Sequence, residues 1–415
     1  MYFALKQNNI PMKTLLTLLL LSSLILNSSA QKSKIKVIPQ DGQEFTGKKI
    51  IKGLVKSGVK ILAVKTNFST TSHVLGFFTD PTRYMGIGQG LILSTGIVDN
   101  LTSASSGENF TSIEIEDTTM IQQIVQDILD NSQPETQLQT INSLDLHKFA
   151  KPGDQDLSNE INGLETFDAR IIEIKFIPSA DTLYYRYVFA SEEYDEFVCS
   201  EFNDVFAFYL SREGGNKKNI ALVPGQKLPV SINTINNGNP KNSACQKTNA
   251  HLYQKNNGNQ NLLFDGFTKV LDIRQKVIPG KVYNLKIAIA DASDSVWDSA
   301  VMIENGSIFS YFNSFELSFE LNSSVIENKK ILEKILKALK KHPKSKIQLI
   351  GHSDLSGSAK YNFELSKKRV ESLSAFLVAN EIDSSRIIET YKGETMPRYK
   401  NSSKNRRIEV FILGE

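Results

Sequence analysis

Histidine and cysteine are scarce in this chain, and their scarcity excludes several kinds of site. Only five histidines and two cysteines occur among 415 residues. No two histidines have metal-ligand spacing, and no Ser/His/Asp or Cys/His catalytic set can be assigned. The glycine-rich segment Gly86–Gly90 lacks both a following Lys-Ser/Thr and the order GxGxxG, so it predicts a turn and not a phosphate-binding loop.

Charge of one sign is also lacking, because the net charge is only +3. A value this small gives no support to a nucleic-acid partner. Residues 313–415 carry 19 Lys+Arg against 13 Asp+Glu, whereas residues 31–312 carry 27 against 32. A basic C-terminal part suits an anionic partner such as a cell-wall polymer, although an ordinary solvated surface gives the same counts.

Long apolar runs are absent except for Leu15–Leu26. Lys13 precedes this run and small residues up to Ala30 follow it, which is the pattern of a secretory signal peptide cleaved after Ala30. The run is shorter than the ~20 residues of a spanning helix, and no cysteine follows it for lipid attachment. We therefore expect an exported chain without a transmembrane helix. In such a chain Cys199 and Cys245 either form one disulfide or are buried thiols.

The region before residue 313 is predicted to consist mainly of strands. Runs rich in β-branched and aromatic residues predict strands at 171–177, 183–189, 205–210 and 282–289. Turn-forming residues between such runs favour an all-β sandwich or jelly roll. Apolar residues at helical spacing predict one helix near 118–131, and the polar segment 133–163 predicts an insertion or loop.

Within residues 45–312, five phrases resemble the choice-of-anchor L domain of Bacteroidota surface and secreted proteins. They are Gly90–Gly96, Phe189–Phe197, Phe202–Phe208, Pro229–Thr234 and Ile289–Val301. The resemblance implies a β-rich fold and an envelope or secreted setting. It implies no reaction, because no molecular activity is established for that family.

The last hundred residues predict a two-layer α/β module. Ser324–Glu327 has capping-box spacing, and an apolar stripe that ends before Pro343 predicts a first helix. A second helix is predicted from the apolar positions between Leu365 and Leu377. Strands are predicted at 346–350, 386–391 and 407–413.

The sequence from Gly351 to Arg369 reads GHSDLSGSAKYNFELSKKR. Together with Asn405–Val410 it resembles the OmpA-like peptidoglycan-binding domain, over roughly residues 313–415. Val370 departs from the family, which usually has Ala there. The resemblance implies that Asp354 and Arg369 clasp the diaminopimelate of a peptidoglycan stem peptide, because the acid can bind its amine and the guanidinium its carboxylate. A structural ion pair is the alternative.

Six further residues occupy positions that could line the same pocket, and each has a structural role as its alternative. They are Asn322, Ser353, Leu355, Asn362, Leu365 and Arg406. His352 is expected to shape the turn.

Two acidic groups stand out in the β region. The first comprises Glu192, Glu193, Asp195, Glu196, Glu201 and Asp204, and the second comprises Asp291, Asp294 and Asp298. Hard oxygen ligands in loops can bind Ca²⁺, for which we select the second group. Neither group has the order of an EF-hand, so solvated carboxylates are the alternative. Two carboxylates can also catalyse glycoside hydrolysis.

Taken together, these patterns predict a signal peptide at 1–30, a choice-of-anchor L-like β domain at 31–312 and an OmpA-like domain at 313–415. We expect a periplasmic or outer-membrane-associated protein held non-covalently on peptidoglycan, with a β domain that presents a binding or adhesion surface to a glycan or another envelope protein. No catalytic residue and no cofactor other than Ca²⁺ is predicted. The alternatives are a wall-anchored enzyme acting on glycan or peptide, and a scaffold of a secretion or motility apparatus.

Overall fold

The computed structural model describes residues 35–39, 53–68, 73–98, 151–258, 262–294, 297–399 and 401–415. The predicted signal peptide and the helix predicted near 118–131 lie outside the described residues. Of the predicted insertion at 133–163, only the part from residue 151 onward is described.

The described residues of the N-terminal part are rich in strands and include one short α-helix. In chain order its elements are β1 (Lys36–Pro39), β2 (Val55–Ser57), β3 (Val59–Thr66), β4 (Leu75–Thr79), β5 (Gln89–Ser94), α1 (Gln155–Glu160), β6 (Thr166–Pro178), β7 (Thr182–Ser191), β8 (Val205–Arg212), β9 (Lys218–Asn219), β10 (Tyr253–Lys255), β11 (Gly266–Thr268), β12 (Leu271–Lys276), β13 (Tyr283–Ala292), β14 (Ser299–Glu304) and β15 (Ile308–Ser318). The four strands predicted from sequence correspond to β6, β7, β8 and β13.

The C-terminal part alternates helices and strands. Its elements are α2 (Lys329–Lys341), β16 (Ile347–Gly351), α3 (Ala359–Ala379), β17 (Ile387–Tyr391) and β18 (Arg407–Leu413). The predicted capping box at Ser324–Glu327 is wrong, because α2 begins later. Its N-cap is Asn328, whose side chain accepts a hydrogen bond from the backbone N–H of Ile331.

Two sheets contain the strands. The smaller has the order β3-β6-β13-β8-β9, and the larger has the order β1-β4-β5-β14-β7-β15-β18-β16-β17. In the larger sheet β11 and β12 also pair with β7, β10 pairs with β11, and β2 pairs with β15. Alternate residues of β6, such as Ile172 and Phe176, enter one core with Tyr185 and Tyr187 of β7 and Phe208 of β8. The strand-rich character is therefore confirmed, while the jelly-roll order stays a prediction.

Strand β15 belongs to both halves of the chain. Its first residues, Phe309–Tyr311, pair with β7, and Tyr311–Ser318 pairs with β18. The domain boundary predicted between residues 312 and 313 falls inside this strand, and it stays a prediction. The larger sheet is thus continuous from the β region into the C-terminal module.

The two faces of the C-terminal strands pack against different partners. One face forms a core with α2 and α3, in which Ile335 and Leu373 meet Val410. On the other face Phe411 packs on Tyr184 of β7, with ring centroids 5.0 Å apart. The face without helices is therefore covered by the β region.

A disulfide joins Cys199 and Cys245. It links the loop between β7 and β8 to a segment 46 residues further along the chain. Of the two alternatives that the sequence left open for these cysteines, the structure shows the bond.

Candidate functional site

The turn that follows β16 carries Asp354. Gly351 ends the strand, and a Cβ at this position would lie 2.4 Å from the backbone oxygen of Ser366 on α3, so only glycine allows this close approach. Asp354 is 5% exposed. Its Oδ1 accepts a hydrogen bond from the backbone N–H of Ser356 at 3.2 Å, and its Oδ2 pairs with Nη1 of Arg406 at 2.9 Å. The nearest guanidinium partner of Asp354 is thus Arg406.

Arg369 lies on α3 and its side chain is fully buried. Its guanidinium donates to three backbone carbonyls, those of Ser323 at 2.8 Å, His352 at 2.9 Å and Glu320 at 3.4 Å. Burial lowers the pKa of Arg369 to about 10, and the nearby Asp354 carboxylate opposes this shift. The structure therefore places Arg369 beside Asp354 but beneath the loop that leads into α2.

The other predicted pocket residues differ in exposure. Asn322 accepts a hydrogen bond from the Tyr361 hydroxyl, and Asn362 is buried and donates to Glu394. Ser353 is buried, whereas Leu355 is 67% exposed. The structure thus brings Asn322 and Leu355 to the surface around the turn, while Ser353 and Asn362 support it from below.

Leu365 lines a groove along the first turns of α3. The groove has a volume of about 300 Å³ and is lined by Ser358, Lys360, Tyr361, Glu364, Leu365 and Lys368. Two of its side chains are cationic and one is aromatic, a combination suited to an anionic ligand with apolar parts.

Four large apolar side chains are exposed around Asp354, on the loop before α2, in the turn after β16 and on the first turn of α3. They are Leu321 (63%), Val325 (66%), Leu355 (67%) and Tyr361 (47%). Exposed apolar side chains gathered around one polar site are typical of a binding surface. The sequence analysis did not select Leu321 and Val325, because isolated apolar residues in a loop carry no pattern.

Beneath the turn, a buried ion network connects the module to the β region. Glu409 of β18 accepts from Arg407 at 2.6 Å and from Arg274 of β12 at 2.6 Å, and it lies 3.3 Å from Nη1 of Arg398 and 3.3 Å from Nε2 of His352. Burial alone raises the pKa of Glu409, but its neighbours hold it well below the ordinary value. Burial and Arg407 lower the pKa of His352 to about 3, so its imidazole is neutral and structural.

A second buried pair lies in the same junction. Glu304 of β14 is paired with Arg186 of β7 and with Lys392, which follows β17. Burial lowers the pKa of Lys392 to about 8 although Glu304 favours its charged form. The junction therefore buries charges of both signs from the β region and the C-terminal module.

The structure brings together parts of the two acidic groups that the sequence kept separate. The backbone N–H of Asp204 donates to Glu193 at 3.1 Å, and that of Ala292, next to Asp291, donates to Asp204 at 3.1 Å. The backbone N–H of Asp298 donates to the Glu192 carboxylate at 3.2 Å.

The remaining acids of the first group lie apart from this cluster. Asp195 instead binds the Tyr253 hydroxyl and Lys255, and Glu196 and Glu201 are exposed.

The β region also has a polar groove on the outer face of the smaller sheet. Its volume is about 490 Å³, and its lining includes Lys65, Asp156, Glu173, Lys175, Tyr209 and Lys217. Asp156 forms ion pairs with Lys217 and Lys286. Burial raises the pKa of Asp156, but hydrogen bonds from these two lysines bring it below the ordinary value.

Two classes of feature are absent from the described ranges. No helix in them is long and apolar enough to cross a membrane. No group of three or more His, Cys, Asp or Glu side chains among these residues is placed so that it could hold a metal ion.

Comparison with known proteins finds a family match for two parts of the chain. Residues 128–310 match the family model of the Choice-of-anchor L domain, and residues 318–410 match that of the OmpA family. Both resemblances predicted from the sequence are thereby confirmed.

Similar proteins match the C-terminal quarter. Outer membrane protein A of Bordetella avium is 30% identical over 103 residues, which are 23% of this chain and 53% of that protein. The probable lipoprotein YiaD of Escherichia coli (strain K12) is 33% identical over 79 residues, 18% of this chain and 36% of that protein. The chain thus spans about half the length of the first of these relatives and about a third of the second.

Among solved structures, the peptidoglycan-associated lipoprotein from Burkholderia pseudomallei is 22% identical, with a TM-score of 0.22. The match covers 23% of this chain and 87% of that protein.

Proposed function

We propose that this chain, in which a choice-of-anchor L region precedes an OmpA-family region, is an envelope protein anchored non-covalently to peptidoglycan. It acts in the periplasm or at the outer membrane, and its β region presents a binding surface. The observation that carries the proposal is the Asp354–Arg406 pair beside the buried Arg369, surrounded by exposed apolar side chains, within the residues that match the OmpA family.

The ligand in this proposal is the diaminopimelate of a stem peptide. Asp354 accepts hydrogen bonds from its ammonium, and guanidinium N–H groups bind its carboxylate in pairs. Arg406 supplies these groups at the surface, because its side chain is partly exposed. Arg369 has five N–H donors, of which the described carbonyls use three, so two are available to a ligand. The exposed Leu321 and Leu355 contact the apolar part of the peptide.

Access to Arg369 requires a movement of the loop that covers it. The carbonyls of Glu320 and Ser323 in this loop hold two of the guanidinium nitrogens. A ligand carboxylate offers bonds between two ionised groups, paired on one guanidinium, in exchange for those bonds to uncharged carbonyls. The exchange therefore favours a ligand that carries a full negative charge.

For the β region, the groove chemistry favours binding over hydrolysis. A glycoside hydrolase needs one carboxylic acid with a raised pKa as its general acid. In the groove, Asp156 is held by two lysines that lower its pKa, so it cannot serve as that acid. The lysines of the groove, two of which lie over the ring of Tyr209, suit a polar or anionic ligand such as a glycan.

A sacculus pull-down with the full chain tests the anchoring. We expect Asp354→Asn and Arg369→Lys each to lower retention on purified sacculi at least about tenfold, because lysine loses the paired hydrogen bonds. The matched control is Arg386→Lys, since Arg386 also donates to backbone carbonyls, those of Ser345 and His342, away from the turn. Its retention should equal that of the unaltered chain.

The result that contradicts the proposal is equal retention of Asp354→Asn, Arg369→Lys and the control. Competition by free diaminopimelate tests the ligand on the unaltered chain, so its result does not depend on whether a variant folds. Millimolar diaminopimelate should release the unaltered chain from sacculi, and failure to do so would remove the ligand assignment. A chain that binds no sacculi at all would remove the anchoring itself.

A further inference from the structure

The positive charge of the C-terminal module is concentrated on one helix. Residues 313–415 carry 19 Lys+Arg against 13 Asp+Glu. Residues 327–346, which contain α2 and its two flanks, carry eight lysines against two glutamates, and the rest of the module carries 11 charges of each sign. The whole positive excess of the module therefore belongs to α2 and its flanks.

All eight lysines are exposed. They are Lys329, Lys330, Lys334, Lys337, Lys340, Lys341, Lys344 and Lys346. The opposite side of α2, with Leu332, Ile335 and Leu339, is buried in the core of the module. At about 3.6 residues per turn, the first six of these lysines, which lie within α2, fall in an arc of about 140° that only Glu333 interrupts. We call these six lysines the lysine face.

Interactions within the described protein do not explain the lysine face. None of its ammonium groups forms an ion pair with a described residue, whereas Lys367 on α3 pairs with Glu371 at 3.8 Å. Lysines three or four residues apart, such as Lys330 and Lys334, repel each other and destabilise a helix. Lys329 and Lys330 also lie in the first turn, where the helix dipole disfavours positive charge. The lysine face therefore lowers the stability of α2, and an anionic partner would reverse this effect.

The residue type and the shape of the surface indicate which kind of anion fits. The arginines of the module donate to carbonyls or carboxylates in fixed positions, and they are Arg369, Arg386, Arg398, Arg406 and Arg407. Arginine suits an anion held in one orientation, whereas lysine is a mobile point charge. A convex helix that presents only lysines therefore suits anions that are spread over a plane and free to move, such as the headgroups of a bilayer. Because the apolar side of α2 is buried in the module, the helix can lie on such a surface but cannot insert into it.

We propose that the lysine face of α2 binds the surface of a membrane that contains anionic phospholipid. The contact is electrostatic, between ammonium groups and lipid phosphates, and it extends along the ~20 Å of this 13-residue helix. A peptidoglycan strand suits the lysine face less well, because its stem-peptide carboxylates are fixed along a thread and the diaminopimelate also carries an amine.

This inference goes beyond the proposed function, since Asp354 and Arg369 take no part in it. The loop that carries the exposed Leu321 and Val325 leads directly into α2. The membrane contact and the wall contact are therefore adjacent on the module, but they use different side chains.

Sedimentation with lipid vesicles tests the proposal. The chain from Gln31 onward is used, because the apolar run before it would bind lipid by itself. We expect binding at about 0.05 M salt to vesicles of about one-third phosphatidylglycerol in phosphatidylcholine, and at least about tenfold weaker binding to phosphatidylcholine alone. Salt at about 0.5 M should also weaken the binding at least about tenfold, because it screens the charges. No binding to the anionic vesicles, or binding that salt leaves unchanged, would overturn the proposal, and both results use the unaltered chain.

A fourfold variant locates the contact on α2. It combines Lys330→Gln, Lys334→Gln, Lys337→Gln and Lys341→Gln. These positions are exposed, and glutamine favours a helix about as well as lysine does. Each lysine near an anionic surface contributes about a fivefold factor in affinity, so we expect binding to the anionic vesicles to fall at least about thirtyfold.

The matched control removes four exposed lysines from the β region and changes the net charge by the same amount. It combines Lys218→Gln, Lys227→Gln, Lys241→Gln and Lys281→Gln. Its binding to the anionic vesicles should fall by less than about threefold, because charges far from the contact are screened. Equal losses in the two fourfold variants would assign the binding to net charge and overturn the proposal.

Retention on sacculi separates this inference from the anchoring proposal. The α2 variant should keep its retention on sacculi, and Asp354→Asn should keep its binding to vesicles. If the α2 variant instead loses retention on sacculi while its vesicle binding is unchanged, the lysine face binds the wall polymer, and the membrane proposal is overturned.

Discussion

Glu409 and Glu193 are two glutamates of equal burial and opposite electrostatics. Glu409 lies in the junction between the two halves of the chain, where three arginines and a histidine surround it and hold its pKa well below the ordinary value. Glu193 lies at the end of the β region, where burial and Asp204 raise its pKa well above that value. Burial has the same sign at both sites, so the neighbouring charges decide the outcome.

The difference distinguishes two environments for a buried glutamate. In one, basic side chains of the protein pair with it, and in the other its described neighbours are acidic. At the junction, acids and bases from both halves neutralise one another, and the network holds the two halves together. At the acidic end, burial and the neighbouring Asp204 favour the protonated, uncharged form of Glu193. Four predictions test this contrast.

The largest effect is expected from Glu409→Gln. The substitution leaves Arg407, Arg274 and Arg398 without their shared carboxylate, and breaking a buried pair in this way costs about 3–5 kcal/mol. Denaturant unfolding measures the loss. Glu333→Gln, on the exposed side of α2, is the control and should change stability by less than about 0.5 kcal/mol.

The same change at Glu193 should leave stability unchanged or increase it, because burial and Asp204 already favour its uncharged form. A destabilisation at Glu193 comparable to that at Glu409 would contradict the contrast between the two sites.

The disulfide is expected to have the next largest effect. Replacing both Cys199 and Cys245 by alanine removes a cross-link between residues 46 apart, which stabilises a folded chain by about 2–4 kcal/mol. Retention on sacculi should not change, since the C-terminal module contains no cysteine. Loss of sacculus binding in this variant would show that the two ends are coupled.

A pH effect of about 2–3 kcal/mol is expected from His352. Its pKa is about 3 in the folded protein, so the unfolded chain binds a proton between pH 6.5 and pH 3 that the folded chain does not. The stability contribution is therefore complete above pH 6.5 and declines as the pH falls towards 3. Urea unfolding at pH 7.5 and pH 4.5 should show this decline, and His352→Asn should reduce it. An equal decline in the variant would assign the effect to other groups.

The smallest effect is expected from an exposed ion pair. Lys276 and Asp181 are 3.1 Å apart with side chains 74% and 46% exposed. Such pairs contribute about 0–1 kcal/mol because water and salt screen them. Lys276→Ala should therefore change the free energy of unfolding by less than about 0.5 kcal/mol. A larger loss of stability would mean that the charge of the partner determines the energy of an ion pair even where water surrounds it.

Local patterns in the sequence were enough to predict several elements. The aromatic and β-branched content of residues 183–189 predicted β7, and residues 407–413 predicted β18 at its observed bounds. The turn motif likewise placed Asp354 after a strand and Arg369 on a helix. These predictions succeed because backbone propensity and side-chain periodicity act over a few residues.

Contacts between distant segments could not be predicted in the same way. The pairing of Asp354 with Arg406 joins residues 52 apart, and its geometry depends on how β18 lies beside β16. The approach of Glu193 and of Asp291 to Asp204 depends on the positions of β7 and β13 in different sheets. No periodicity encodes either contact, and so the sequence placed the two acidic groups apart.

Strand β15 also has a mechanical consequence. Hydrogen bonds to β7 hold its first residues, and hydrogen bonds to β18 hold the rest. A force applied to the β region would therefore be transmitted to the C-terminal module through these two sets of hydrogen bonds, which share the load. No flexible segment separates the two sets within β15. A ligand of the β region would therefore be held at a fixed angle to the C-terminal module.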